Sequence, residues 1–481
     1  MNHRSVLNML GAILRLEAGL MLIPMVVALL YDENTAMAFF AAIAIAFGLG
    51  LLLKLISGKR DHLIFAREGL VTVAVAWIIL SAIGALPFYF SGEIPSYVDA
   101  FFETVSGFTT TGASILTDVE AMSYGLLFWR SFTHWIGGMG VIVLIMAIMP
   151  TTSGRSMHIM KAEMPGPIVG KLVPRVRDTA KILYLIYIVL TLVQIIFLWV
   201  GDMNLFESVV HSLGTAGTGG FGIKADSIGG YSAYSQWVIT VFMLIFGINF
   251  NLYFLILIGR VRSVLKSEEL RVYFLIVAAA IAVICANVYH LFGNFADTLR
   301  NASFQVASII TTTGYATTDF DLWPGMSKMI LLLLMFTGGC AGSTAGGLKL
   351  SRILMMFKTI GNNLRKMIHP RAVTTIRFEG KSVDEDTRRG IGEYIMLYLF
   401  LYAAFIFILS FEPFDFETNF SAVSACINNV GPGFAGVGPT CSFAGYSVFS
   451  KYMLSFAMLL GRLELYPVLL ALMPSTWRKN N

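Results

Sequence analysis

The sequence predicts an all-α polytopic membrane protein. Two N-terminal helices lead into four pseudo-symmetric units, each a helix, a re-entrant half-helix with a glycine loop, and a second helix, around a common axis. Three observations carry that prediction. Of 481 residues, 56% are hydrophobic and 13% charged, about half the charged share of a soluble domain, and the mean hydropathy is +0.74. Ten charge-poor apolar runs are each long enough to cross a bilayer. Four shorter segments between them repeat one pattern. The first observation excludes a soluble enzyme or binding protein, which needs more polar residues to cover its surface, and the aromatic content excludes disorder. Cys285, Cys340, Cys426 and Cys441 form no CxxC and have no histidine at metal-ligand spacing, so neither a zinc site nor a disulfide framework is expected.

The apolar runs fall at about 10–30, 35–56, 69–90, 126–149, 180–201, 236–259, 272–293, 326–348, 391–411 and 446–474. Each covers the roughly 20 helical residues that span a hydrocarbon core. Arg15 and Glu17 interrupt the first, which argues against a cleaved signal peptide. The basic residues sort by loop: 28 of 34 Lys and Arg fall on one side, including ten from Lys349 to Arg389. The positive-inside rule then places both termini in the cytoplasm, in agreement with an even number of spans. The opposite loops carry acids, among them Glu93, Asp99, Asp118, Asp202, Asp226, Asp321, Glu412 and Asp415. Such acids either solvate the loops or form a rim that concentrates cations.

The four repeated segments are VDAFFETVSGFTTTGAS, LFESVVHSLGTAGTGGFGI, LRNASFQVASIITTTGYATTD and TNFSAVSACINNVGPGF. They are too apolar for plain loops and too short to cross twice. Aligned on Gly112, Gly220, Gly314 and Gly431, each has a small residue six positions earlier: Ser106, Gly214, Ser308 and Ala425. The glycines are 108, 94 and 117 residues apart. Units follow at 67–150, 151–262, 263–370 and 371–481, after a two-helix preface at 1–66. Non-helical backbone at membrane depth is tolerated only where it packs in protein or lines a water-filled path. Four such loops converging on one axis would ring a dehydrated cation with carbonyl oxygens, and the negative ends of the half-helices favour a cation there. No Asp, Glu, Lys or Arg sits in the four glycine runs, so selection would rest on neutral oxygens. The bland alternative is four helix-breaking turns between packed spans.

The eighth run holds five glycines within residues 338–347, each costing about 1 kcal/mol against Ala inside a helix. Either small residues serve close helix contact, or the helix breaks and a loop from Gly338 to Gly347 crosses the path. In the second case Ser343 and Thr344 help satisfy freed backbone groups and Lys349 anchors the cytoplasmic end. Arg462 lies near mid-membrane, where a charge is costly and is paired or functional. Glu464 is a poor partner, because i,i+2 residues do not face each other on a helix. Carbonyls of the glycine loop, or the ion path itself, suit it better. The basic segments 150–178 and 351–390 are too short for a nucleotide-binding domain and hold no Walker A or GxGxxG, so no nucleotide is expected on this chain. No HExxH, Ser/His or Asp/Asp constellation marks an enzyme.

Taken in order along the chain, TTTGAS (109–114), WIGGMG (135–140), EMPGP (163–167), PRVRDTAK (174–181), TGGFG (218–222), TTTGYAT (311–317), GGCAGSTAGGLK (338–349), NNVGPG (428–433) and GRLELYP (461–467) resemble the Trk/Ktr/HKT superfamily of potassium transporters. The two-helix preface and GRLEL resemble its bacterial Trk branch. His134 departs from the pattern, in which Gln is expected; it reads as a packing residue or a proton-sensing site. The resemblance implies a K⁺ path selected by the strands Thr110, Thr111, Gly112; Thr218, Gly219, Gly220; Thr312, Thr313, Gly314; and Asn429, Val430, Gly431. Glycine at all four final positions implies passage of K⁺ and Rb⁺. It also implies a gate made of Gly338, Gly339, Gly342, Ser343, Thr344, Gly346, Gly347, Lys349 and Arg462. A homodimer, a cytoplasmic ring of nucleotide-binding RCK regulatory subunits, and residence in the bacterial inner membrane follow by the same resemblance. The rivals are a Na⁺- or H⁺-coupled K⁺ symporter, for which Glu103 is a coupling candidate, and the K⁺-binding subunit of an ATP-driven pump.

Overall fold

In the computed structural model, residues 1–58, 66–140, 176–371 and 375–478 are described. The fold is helical; among these residues the only strands are a two-residue antiparallel hairpin, Arg377–Phe378 with Lys381–Ser382. Among the described residues, six helices are long and apolar enough to cross a membrane: His3–Leu30, Thr35–Ser57, Arg67–Phe90, Asp178–Val200, Glu268–Phe292 and Glu385–Leu409. Their outward faces are apolar, with Leu185, Leu275, Met396 and Phe400 more than half exposed, as lipid contact requires.

The first two form a hairpin that closes tightly because both carry glycine at the crossing. A Cβ on Gly11 would come within 2.7 Å of the Gly50 carbonyl oxygen, and one on Gly50 within 2.9 Å of that of Gly11. Small residues that let backbones approach are the usual device for helix contact in lipid. The other four long helices each lead a triplet. Behind each comes a middle helix, Tyr97–Phe108, Leu205–Gly217, Phe295–Ile310 or Phe416–Ile427. Then comes a trailing helix, Tyr124–Gly138, Ala233–Phe246, Gly325–Thr337 or Val448–Arg462.

The trailing helices correct the expectation that, the eighth apart, each apolar run is one bilayer-long helix. They have 15, 14, 13 and 15 residues, about 20 Å at 1.5 Å per residue, which is short of the hydrocarbon thickness. A break was expected only in the eighth run. The sixth also bends, by 90° between Phe246 and Phe250. The tenth breaks at Leu463 and Glu464 before Leu465–Leu472. The fourth helix ends at Gly138, and the rest of its run, 141–149, lies outside the described residues. EMPGP and most of the basic segment 150–178 lie outside them too.

The middle helices start alike. Ser96, Asn204, Asn294 and Asp415 each accept a hydrogen bond from the backbone N–H three residues on, at Asp99, Glu207, Asp297 and Thr418, the N-cap geometry those residue types favour. Three of the loop acids hold the start of a trailing helix. Glu93 accepts from the Ser123 N–H at 3.0 Å, Asp202 from Ser232 N–H at 2.8 Å, and Glu412 from Ser447 N–H at 3.2 Å. In three triplets an acid after the leading helix thus ties down the serine N-cap of the trailing helix.

The triplets pack as a closed circuit. One apolar cluster joins the hairpin, the first triplet and the fourth, through Trp77, Phe102, Trp129 and Leu454. Another joins the first and second through Trp135, Tyr187 and Phe246. A third joins the second and third through Met243, Phe304 and Tyr315, and a fourth joins the third to Val430 and Phe434. Lys451 meets Asp99 at 2.5 Å across the closing seam.

Candidate functional site

At the C-terminal ends of the middle helices the chain makes the same turn four times. Thr110, Thr218, Thr312 and Asn429 have φ of 54°, 55°, 55° and 54°. The next N–H, of Thr111, Gly219, Thr313 or Val430, returns to the carbonyl of Ser106, Gly214, Ser308 or Ala425 at 2.8–2.9 Å. This is the Schellman closure of a helix, and the small residues aligned in the sequence are its acceptors. Three of the four left-handed positions are threonine. A β-branched residue there is a strained outlier, and strain of this kind gathers at functional sites.

Two residues on, Gly112, Gly220, Gly314 and Gly431 have φ of 80°, 77°, 84° and 103°. Each backs onto the next strand in cyclic order. A Cβ on Gly112 would overlap the Gly219 carbonyl oxygen, one on Gly220 that of Thr313, and one on Gly314 that of Val430. One on Gly431 would come within 2.7 Å of the Thr111 oxygen. The circuit closes, and all four glycines line a single cavity of about 430 Å³. Glycine is needed at these positions twice over, for the left-handed backbone and for the approach of the neighbouring carbonyl.

That cavity holds no carboxylate; its charged lining residues are Arg130 and Lys224. Arg130 is bound to Glu103 at 2.8 Å, with both side chains buried, and lies 4.1 Å over the Phe221 ring. Glu103 also accepts from Ser114 Oγ and the Ile115 N–H, both at 2.9 Å, while Arg130 donates to the Gly222 carbonyl at 3.2 Å. Glu103 and Arg130 thus link the segments that follow Gly112 and Gly220. Among the described residues, no three His, Cys, Asp or Glu cluster as metal ligands; the groups offered at the ring are neutral oxygens.

The glycine loop of the third triplet lies against the inner end of the ring. The Gly346 N–H donates to Thr312 Oγ1 at 2.6 Å and the Gly347 N–H to the Asn428 carbonyl at 3.0 Å. Gly338, Gly342 and Gly347 have φ of 63°, 72° and 75°, and Lys349 has 71°. The freed backbone finds partners at the bend of the second trailing helix. Cys340 N–H donates to the Gly247 carbonyl and Phe250 N–H to that of Gly342, both at 3.0 Å. Gly339 packs on the same bend, 3.1 Å from the Gly247 oxygen for an added Cβ. Ser343 Oγ donates to the Cys340 carbonyl, Thr344 Oγ1 to that of Phe246, and Lys349 Nζ to that of Ala345. Arg462 donates to the Thr344 carbonyl at 2.7 Å and to those of Gly137 and Gly138 at 2.6 Å. It joins the loop to the end of the first trailing helix. Glu464 pairs with Arg352 instead.

The sequence reading missed the Arg352–Glu464 pair and Glu269, whose Oε1 accepts from the Ala341 N–H of the loop at 2.8 Å. Adjacent carboxylates, Glu268 and Glu269, at the head of the largely apolar run Glu268–Phe292 were the available signal for Glu269. Glu464 carried a backbone signal only in three dimensions, a φ of 62° at a non-glycine residue.

A polytopic helical protein with four pore-loop-like turns meeting around one cavity is the class that this fold and site define. The profile of the TrkH family, described as cation transport protein, matches residues 35–479, and the chain belongs to that family of membrane ion transporters. It is 36% identical over 487 residues to the Trk system potassium uptake protein TrkH of Escherichia coli K12, covering 100% of both chains. It is 35% identical to TrkG of the same strain over 99% of both. The crystal structure of the potassium transporter TrkH from Vibrio parahaemolyticus superposes with a TM-score of 0.90 at 32% identity, over 99% of this chain and 100% of that one.

Proposed function

We propose that this chain is the K⁺-conducting subunit of a bacterial uptake system, acting as four pore units around one path. The observation that carries the reading is the ring itself: four glycines in cyclic contact with their neighbours' carbonyls, lining one cavity. K⁺ sheds water there because neutral oxygens at fixed spacing replace its hydration shell, and Rb⁺ passes with it. The strands run from Thr110, Thr218, Thr312 and Asn429 to the four glycines. The loop from Gly338 to Gly347, held by Lys349 and Arg462, is the gate. The potassium uptake named for the relatives from Escherichia coli supports the choice of ion.

The basic cytoplasmic face, here Arg365, Lys366, Arg371 and Arg389, suits docking of an RCK-type regulatory ring. Two copies of the chain form the unit in the inner membrane, with both termini in the cytoplasm. Ions then enter through the 430 Å³ vestibule, cross the ring, and pass the loop when the partner draws it aside.

The test is ion flux by the purified protein in liposomes, with K⁺, Rb⁺ and Na⁺ gradients imposed separately. Passive K⁺ and Rb⁺ flux with little Na⁺ flux, and loss of that discrimination in Gly314→Ser, is the expected result. Flux that demands a Na⁺ or H⁺ gradient would replace the channel by a symporter. Flux that requires an ATPase partner would replace it by a pump subunit.

A further inference from the structure

The four strands differ in how their backs are supported. In the first and third, the hydroxyls of Thr109 and Thr111, and of Thr311 and Thr313, meet at 2.8 Å behind the strand. The fourth places Asn428 and Val430 at these positions, both fully buried. The second has Gly217 and Gly219, and so no side chain of its own at either place.

Neither glycine is required by its backbone, since neither lies in the left-handed region. What excludes a side chain is His134. A Cβ on Gly219 would overlap Cγ, Nδ1 and Cδ2 of its ring, and one on Gly217 would overlap its carbonyl and come within 3.0 Å of its Cβ. His134 belongs to the trailing helix of the first triplet and is fully buried. Its Nδ1 meets the Gly107 carbonyl at 2.8 Å, and its ring centroid lies 4.2 Å from that of Phe221, the residue after Gly220. A carbonyl can only accept, so Nδ1 carries the proton and the ring orientation is set. The imidazole thus occupies, from a neighbouring triplet, the volume that the paired threonines fill behind the first and third strands.

We propose that His134 is a positioning residue that sets ion selectivity by bracing the second strand from behind. The inference rests on the reading of the ring as an ion filter. Neutral oxygens discriminate between cations by their number and spacing. A strand with glycine at 217, 219 and 220 has more conformational freedom than its three counterparts. The ring removes that freedom, and the Gly107 bond fixes the ring to the first middle helix.

The experiment compares full-length variants in liposomes, reading K⁺, Rb⁺ and Na⁺ flux at matched amounts of folded protein. His134→Ala is expected to lower the K⁺ to Na⁺ permeability ratio several-fold, and His134→Gln to keep most of it. Gly219→Ala alone is expected to impair flux, because its Cβ meets the imidazole. Combined with His134→Ala it is expected to recover selectivity, because the methyl refills part of the space. A role in folding alone would lower the yield of folded protein but leave the permeability ratio of the folded fraction unchanged, and would show no such recovery. If His134→Ala does not fold, His134→Asn replaces it and is expected to lower the ratio below that of His134→Gln; an Asn variant with the wild-type ratio overturns the proposal. Gly314→Ser separates the two ideas. If it alters the ratio while every His134 and Gly219 variant leaves it unchanged, the brace is wrong and the filter stands; if it too is without effect, the filter reading fails.

Discussion

At the scale of single residues, the site is organised by groups that could not be tolerated elsewhere. Threonine at φ near 55° and glycine against a carbonyl are both imposed by neighbours. Arg462 is the clearest case. Three carbonyls converge on one guanidinium, and all three belong to backbone freed by helix ends or by the loop. Charge-assisted hydrogen bonds of this kind are each worth roughly 1.5–3 kcal/mol. Arg462→Ala should therefore cost about 3 kcal/mol or more of stability, and it should release the loop from the first trailing helix. We expect a lower melting temperature in detergent and raised K⁺ flux in the absence of any cytoplasmic partner; unchanged flux in a folded variant would show that Arg462 holds structure only. The need for a partner at Arg462 was legible from its depth in an apolar run. Which carbonyls it meets was not, because they lie 118 and more than 300 residues away in sequence.

At the scale of elements, the recurring device is the acid that holds the serine N-cap of a trailing helix. Burial raises the pKa of Asp202, but hydrogen bonds from Ser232 and Ser235 outweigh it, and the net value lies below the ordinary carboxylate range. Glu412 behaves alike through Ser447 and Ser450. A depressed carboxylate stabilises the fold above its unfolded pKa, and that contribution is lost as pH falls through the folded value. Melting temperature in detergent should therefore drop on acidification through the carboxylate range. Asp202→Asn should lower it at neutral pH, through the loss of about 1 kcal/mol of hydrogen-bond stabilisation, and flatten its pH dependence. An equal slope in wild type and variant would remove Asp202 from the account. The caps explain why charge in the outer loops was ambiguous in sequence: a solvated acid, a cation-gathering acid and a capping acid have the same composition. The breaks in the trailing helices were hidden for a similar reason. A bent span and a straight one share the same hydropathy, and only the five glycines of 338–347 announced a break.

At the scale of the whole molecule, the ring exists because the fourth triplet returns to the first. Asn429 Nδ2 donates to Thr111 Oγ1 at 2.9 Å, the Phe443 N–H donates to the Ser114 carbonyl at 2.8 Å, and Lys451 pairs with Asp99. Breaking that last pair should loosen the closure itself. Asp99→Asn and Lys451→Gln are each expected to cost about 1–3 kcal/mol, as loss of a charged hydrogen bond does. The exchange of charges, Asp99→Lys with Lys451→Asp, should recover part of the loss in melting temperature. No recovery in the exchanged protein would mean that the apolar seam around Phe102 and Leu454 closes the circuit without the ion pair.

The class of protein and the four aligned glycines with their small partners six residues earlier were determined by the sequence by itself. These are local quantities. Hydropathy over 20 residues, charge per loop, and the backbone freedom of glycine need no knowledge of what packs against what. The His134 ring behind Gly219, the Glu103–Arg130 pair, the three carbonyls of Arg462 and the cyclic order of the strands were decided only by tertiary structure. All but the Glu103–Arg130 pair join residues from different triplets, and that pair joins two helices of one triplet; which partner fills a given space follows from how the helices pack, not from the sequence pattern of any one of them.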